Sequence, residues 1–234
     1  MRSIWRTLVP DVLDRGTLRG IAAVCLAVGV IGVSYGATAV AAGLPAWVPM
    51  LLSVLVLAGG SEFLFVGIVG AGGSVIAAVL AGLLVNTRHL PYGLAVPDVV
   101  GRGARRLLGV HVMNDEAVAL AVAESEPERR RAAYWLGGVG VLLAWPAGAA
   151  LGAIVGSLVP DTAAFGLDAV FPAVLLALIL PALARRRTRR AALTGAVLAV
   201  VSTPFLPAGL PVLVALAGLL VAWPARDARE PASC

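Results

Sequence analysis

The sequence predicts an all-α integral membrane protein, a polytopic helical bundle with six to eight crossings and broken or re-entrant helices. Three observations predict it. Of the 234 residues, 60% are hydrophobic and 13% charged, about half the charged share of a soluble domain, and the mean hydropathy is +0.95. Apolar runs recur at lengths near the roughly 20 residues a helix needs to cross the hydrocarbon core. Between them lie short segments where glycines adjoin acids, amides and arginine, a pattern suited to backbone unwound around an internal cavity.

Along the chain, residues 1–19 read as a cytoplasmic N-terminal segment, 20–224 as a single transmembrane domain and 225–234 as a polar tail. The opening "MRSIWRTLVPDVLDRGTLRG" mixes acids, Pro and Arg without a cleavage signature, so the first span is expected to stay in the mature protein. That span is Gly20–Ala42, with Arg15 and Arg19 ahead of it and the small-residue face "GVSYG" within it. Trp47–Gly70 is apolar but interrupted by "LAGGSEFLF"; Ser74–Leu84 follows, then "NTRHLPYGL", where Pro91 and Gly93 are expected to stop any continuing helix. Pro97–Arg131 is polar apart from the short island Ala117–Ala123, and His111 is expected in a loop. In the long span Ala132–Val159, Gly148, Gly152 and Gly156 form a stripe for tight helix packing. Ala163–Ala184 is another span, with Asp168 near its start at the interface. "RRRTRR", Arg185 to Arg190, reads as a cytoplasmic loop, and Ala191–Pro204 with Leu210–Pro224 as a hairpin around "LPAG".

Charge placement sets the orientation. The net charge is +5 and all 18 basic residues are Arg. Both termini, Arg129–Arg131 and Arg185–Arg190 should face the cytoplasm, which demands an even number of crossings between Arg19 and Arg129. Two arrangements satisfy this: eight crossings with Leu107–Ala123 tilted or broken, or six with one re-entrant segment. A basic surface interleaved with aromatics is absent, so nucleic acid is not an expected partner. The two cysteines, Cys25 and Cys234, have no paired spacing; no metal site, disulfide framework or cofactor is expected, and Cys25 reads as a packing residue.

Polar groups inside apolar runs are expensive and face an interior or a water-filled cavity. Glu62, in "GGSEF", is a candidate proton carrier; a short loop that leaves it solvated at the interface is the bland alternative. Arg88 can grip a carboxylate bidentately and His89 can relay a proton, unless Arg88 merely snorkels to lipid phosphate. In "NDE", Asn114 or Asp115 is a good N-cap and Glu116 a good first-turn residue; the two adjacent acids also suit an amine.

The ordered set "GGSEFLFVGIVGAGGS", "NTRHLPYGL", "NDEAVAL" and "GLDAVFPA" resembles the AzlC family of branched-chain amino acid exporters, over roughly Arg19 to Pro181, with "N-x-R-H-x-x-Y-G" and "D-E" as its most specific parts. The resemblance implies a proton-driven exporter of branched-chain amino acids in the bacterial cytoplasmic membrane, working with a small AzlD-like membrane subunit. It departs from the family at Glu62, where glutamine is usual, and after Glu116, where "AVAL" follows. On that reading Asn86, Arg88, Asp115, Glu116 and Phe63 bind substrate, with Arg88 on the carboxylate, the acids on the ammonium and Phe63 on the aliphatic side chain. Glu62 and His89 carry protons. Two rivals stand beside it. A non-transporting membrane partner is favoured by the glycine stripes alone, and an intramembrane enzyme would need a nucleophile–base or metal constellation for which GxSxG and HExxH are both missing.

Overall fold

A computed structural model describes residues 12–158, 173, 176, 180, 183–207 and 210–222. Among the described residues there is no strand, and the chain is an all-α membrane protein. Three described helical segments are long and apolar enough to cross a bilayer, Arg15–Ala41, Val75–Ala95 and Pro127–Leu158. The expected six to eight crossings are thus not all found there; most of the expected span Ala163–Ala184, including Asp168, lies outside the described residues, as do Cys234 and residues 223–234 of the C-terminal stretch.

Helix α1 (Arg15–Ala41, 27 residues) begins at Asp14, whose side chain accepts from the Thr17 N–H. Its partner is α8 (Pro127–Leu158, 32 residues). At 1.5 Å per residue both exceed the roughly 30 Å hydrocarbon core. They run parallel along the expected glycine stripe. A Cβ at Gly148 would lie 2.2 Å from the Gly29 carbonyl oxygen, one at Gly152 2.0 Å from that of Val33, and one at Gly36 2.0 Å from that of Ala149. Only glycine permits this approach. Cys25 fills the hollow over Gly140, in keeping with a packing role.

The parallel pair gives the bundle two ends. At the Asp14 end, Arg129 pairs with Asp14 at 2.5 Å and Glu124 at 2.7 Å. At the other, α1 ends at Ala42. Helix α2 (Trp47–Leu55) enters from the Ala42 end. After a turn through Leu57, which is buried at φ +50°, α3 (Gly59–Gly70) starts beside the indole of Trp145 at mid-bundle. It returns to the Ala42 end, where a Cβ on Gly70 would lie 2.8 Å from the Ala42 Cβ. The stretch Trp47–Gly70 therefore dips in and out without crossing.

Helices α4 (Val75–Asn86) and α5 (His89–Ala95) then make one crossing, broken at Thr87–Arg88. The expectation that Pro91 and Gly93 end the helix is corrected. Both lie inside α5, and Pro91 occupies its first turn, where a missing N–H leaves no bond unmade. The Ala95 carbonyl accepts from Arg130, and that of Asp98 accepts from Arg131 at 2.9 Å, fixing this end at the Asp14 side.

A second dip enters from there. Helix α6 (Ala104–His111) is tied to α8 by Tyr134 Oη donating to the Gly109 carbonyl at 2.7 Å. His111 is its last residue rather than part of a loop. Val112 packs on Gly138, the chain turns at Asn114, and α7 (Asp115–Val122) returns to Glu124 at the Asp14 end. Two broken hairpins thus enter from opposite ends. Arg102, Arg105 and Arg106 share an end with Arg129–Arg131, reconciling the arginine pattern with two crossings between Arg19 and Arg129.

The expected arginine loop is partly helical. Arg186–Arg190 form the first turns of α9 (Arg186–Ser202), since arginine is a good helix former when its head reaches solvent. The expected hairpin partner is present as α10 (Leu210–Ala215), a 3₁₀ turn (Leu216–Gly218) and α11 (Leu219–Ala222). A Cβ at Gly218 would lie 2.4 Å from the Ala191 carbonyl oxygen.

Candidate functional site: a mid-bundle cavity

The tips of both hairpins and the break between α4 and α5 meet over the middle of α1 and α8. They line a cavity of about 80 Å³, room for several waters. One wall is polar: Arg88, Asn114, Asp115 and Glu116. The facing wall is apolar: Val28, Ile31, Leu57, Phe63, Val141 and Trp145. Gly59 and Gly60, at the start of α3, complete the lining with Ala58.

Arg88 stands at the helix break, so its backbone leaves α4 while its side chain reaches across to Gly60. A Cβ there would lie 3.3 Å from Arg88 Nη1. The same Nη1 lies 3.1 Å from Asp115 Oδ2, and Tyr92 Oη donates to Asp115 Oδ1 at 2.5 Å. Asp115 and Glu116 occupy the first turn of α7, where the helix dipole favours negative charge. Arg88 and Asp115 are both partly buried, with side chains 27% and 35% exposed. The Arg88 guanidinium is thus paired with Asp115 within the bundle.

Glu62 is 1% exposed, so the solvated-interface alternative fails. It lies in the first turn of α3 and reaches back to accept the Ala58 N–H at 2.9 Å. Trp145 Nε1 donates to both of its carboxylate oxygens, 3.1 Å from each. Tyr35 stacks on Trp145 with ring centroids 5.2 Å apart, and meets Phe63 edge-on at the same distance. The carboxylate therefore lies behind the apolar wall, joined to the cavity through one indole.

Of the residues expected to bind substrate, Arg88, Asp115, Glu116 and Phe63 line this cavity together. Asn86 is not among its lining residues, and its Oδ1 is buried without a hydrogen-bond partner among the described residues. His89 is not among them either; its Nδ1 lies 3.0 Å from the Asn86 carbonyl oxygen, and its ring is edge-on to Tyr92. Three groups escaped the sequence reading. Tyr92 was legible as part of "N-x-R-H-x-x-Y-G", whereas Trp145 looks like any aromatic in a span and Asn114 like an ordinary cap.

A cavity with one polar and one apolar wall, set mid-way along a bundle of broken helices, defines a class of polytopic membrane protein built around an internal site. A family model described as AzlC protein matches residues 23–159, and the chain belongs to that family. The branched-chain amino acid transport protein AzlC of Bacillus subtilis is 29% identical over 196 residues, covering 81% of this chain and 77% of that protein. Membrane proteins described as uncharacterized are similar too. One from Archaeoglobus fulgidus is 29% identical, with 71% of this chain and 74% of its own length covered. One from Helicobacter pylori is 26% identical, with 82% and 85% covered. No solved structure matches the chain.

Proposed function

We propose that this chain is the large subunit of a two-component permease that exports branched-chain amino acids from the bacterial cytoplasm, coupled to protons. One observation carries the reading: charged groups of both signs and hydrocarbon side chains line the same mid-bundle cavity. A free aliphatic amino acid has that shape and charge. Its carboxylate suits Arg88, its ammonium suits Asp115 and Glu116, and its side chain suits Phe63, Ile31 and Leu57. The polar wall is internally neutralised at Arg88–Asp115, so a zwitterion can replace one ion pair by two without leaving a buried charge unpaired. Asn86, two residues before Arg88, would join the site through a rearrangement of the α4–α5 break.

Glu62 is the proton carrier in this scheme, and His89, edge-on to Tyr92, the second candidate. The Asp14 end, where Arg129–Arg131 gather with Arg15 and Arg19, is the cytoplasmic end. The small AzlD-like subunit would cover part of the outer surface. The test is efflux of radiolabelled leucine from cells loaded with a leucine dipeptide, with and without this chain and its small subunit. Faster efflux only with the pair supports the reading; efflux unaffected by either sinks it and favours a non-transporting role.

A further inference from the structure

Asn114 has a second task beyond its cap. Its Oδ1 accepts the Ala117 N–H at 2.8 Å. Because an amide nitrogen cannot accept, this bond decides which end of the side chain is which. Nδ2 is thereby turned away from α7. Asn114 is 4% exposed and lines the cavity, and Nδ2 has no hydrogen-bond partner among the described residues. Buried donors of this kind are rare and call for an explanation.

Arg88 repeats the feature. Its Nη1 is engaged by Asp115, yet its Nε is buried without an acceptor. The start of α3 opens on the same cavity at Gly59 and Gly60, adding the positive end of a 12-residue helix. Donors without acceptors among the described residues thus reach the same cavity from two separate elements. The carboxyl groups of Asp115 and Glu116 follow Asn114 directly in sequence.

We infer that Asn114 Nδ2, together with Arg88 Nε, is a ligand of the substrate carboxylate. This deepens the transport reading and rests on it. It makes Asn114 a specificity residue: the site selects molecules bearing a carboxylate next to an ammonium, and rejects aliphatic amines that lack one. Unmet donors penalise the wrong ligand more than apolar surface can reward it.

The cap and the ligand role are separable by substitution. Asp and Ser are N-caps as good as Asn, but neither supplies the amide donor. Membranes carrying the full chain together with its small subunit are titrated with radiolabelled leucine, in competition with 3-methylbutylamine. Wild type should prefer leucine by at least roughly tenfold. Asn114→Asp and Asn114→Ser should both keep the thermal stability of the wild type in detergent while binding leucine roughly tenfold more weakly or worse. Asn114→Asp should bind the amine no worse than wild type does. A cap-only role predicts leucine binding unchanged in both variants, and that result overturns the assignment while leaving the transport reading intact. Wild-type membranes that bind no leucine overturn both.

Discussion

Trp145 directs its indole N–H at both carboxylate oxygens of Glu62, 3.1 Å from each, across 83 residues of chain. The same indole lines the cavity and faces Gly59. A ligand in the cavity and the carboxylate behind it therefore share one side chain. If Glu62 carries the coupling proton, Trp145 is the group through which occupancy of the cavity would reach it.

Glu62→Gln tests the carrier. Glutamine keeps an oxygen for the Ala58 N–H, so folding and membrane insertion should survive at a cost of about 1 kcal/mol. The pH dependence of leucine export should change, because the neutral amide cannot take up or release a proton. Export measured in vesicles from pH 6 to pH 8 decides it; a profile matching wild type removes Glu62 from coupling.

Arg88→Ala leaves the Asp115 carboxylate without its cation in a partly buried site. Export of leucine should fall roughly tenfold or more, equivalent to at least about 1.4 kcal/mol. Arg88→Lys keeps the charge but loses the planar fork, so only part of the rate should return. Leucine efflux at the wild-type rate in Arg88→Ala would take this residue out of the site.

The seam between α1 and α8 predicts a steric result. In Gly152→Val the new Cβ would fall 2.0 Å from the Val33 carbonyl oxygen, and neither backbone can yield without parting the helices. The loss should be about 1–3 kcal/mol or greater, read as a lower melting temperature in detergent. Gly67→Ala is the control. That helical position has nothing within 4 Å of the new Cβ, and alanine should stabilise by up to about 1 kcal/mol.

At the Asp14 end, the Thr17 N–H and then Arg129 hold the Asp14 carboxyl below its ordinary range. Arg129, followed by Thr17, does the same for Glu124. Both groups bind protons more weakly in the folded chain than in the unfolded one. Their contribution is therefore complete at neutral pH and is lost as pH falls through the carboxylate range, near about 4 and below. Arg129→Ala should lower the melting temperature at pH 7 and should matter less at pH 4. An equal difference at both values would show that this clamp does not govern acid stability.

How far the fold was legible depended on length and period. The spans at α1 and α8 announce themselves, because some 20 apolar residues have few other uses. The recurring glycines of Gly148, Gly152 and Gly156 foretold a close helix contact, since a small side chain every fourth residue lines one face. Trp47–Gly70 was not decidable in the same way. It is apolar enough to cross, and whether it crosses or doubles back depends on the turn at Leu57 and on Gly70 finding Ala42. The helical reach of Pro91 likewise depends on where the break falls, one turn earlier than the proline itself suggests.

The sequence alone determined that this chain lives in a membrane and belongs among helical proteins with polar interruptions, and it offered Glu62, Arg88 and Asp115 as candidates for an interior site. Composition and periodicity decide solvent and secondary structure because both act locally. Only the tertiary structure decided that Arg88, Asp115, Glu116 and Phe63 share one cavity, that His89 and Asn86 face elsewhere, and that the Asn114 amide is aimed by its own cap. These relations join residues on different helices, and they come from two hairpins dipping in from opposite ends to a common depth, which no local pattern records.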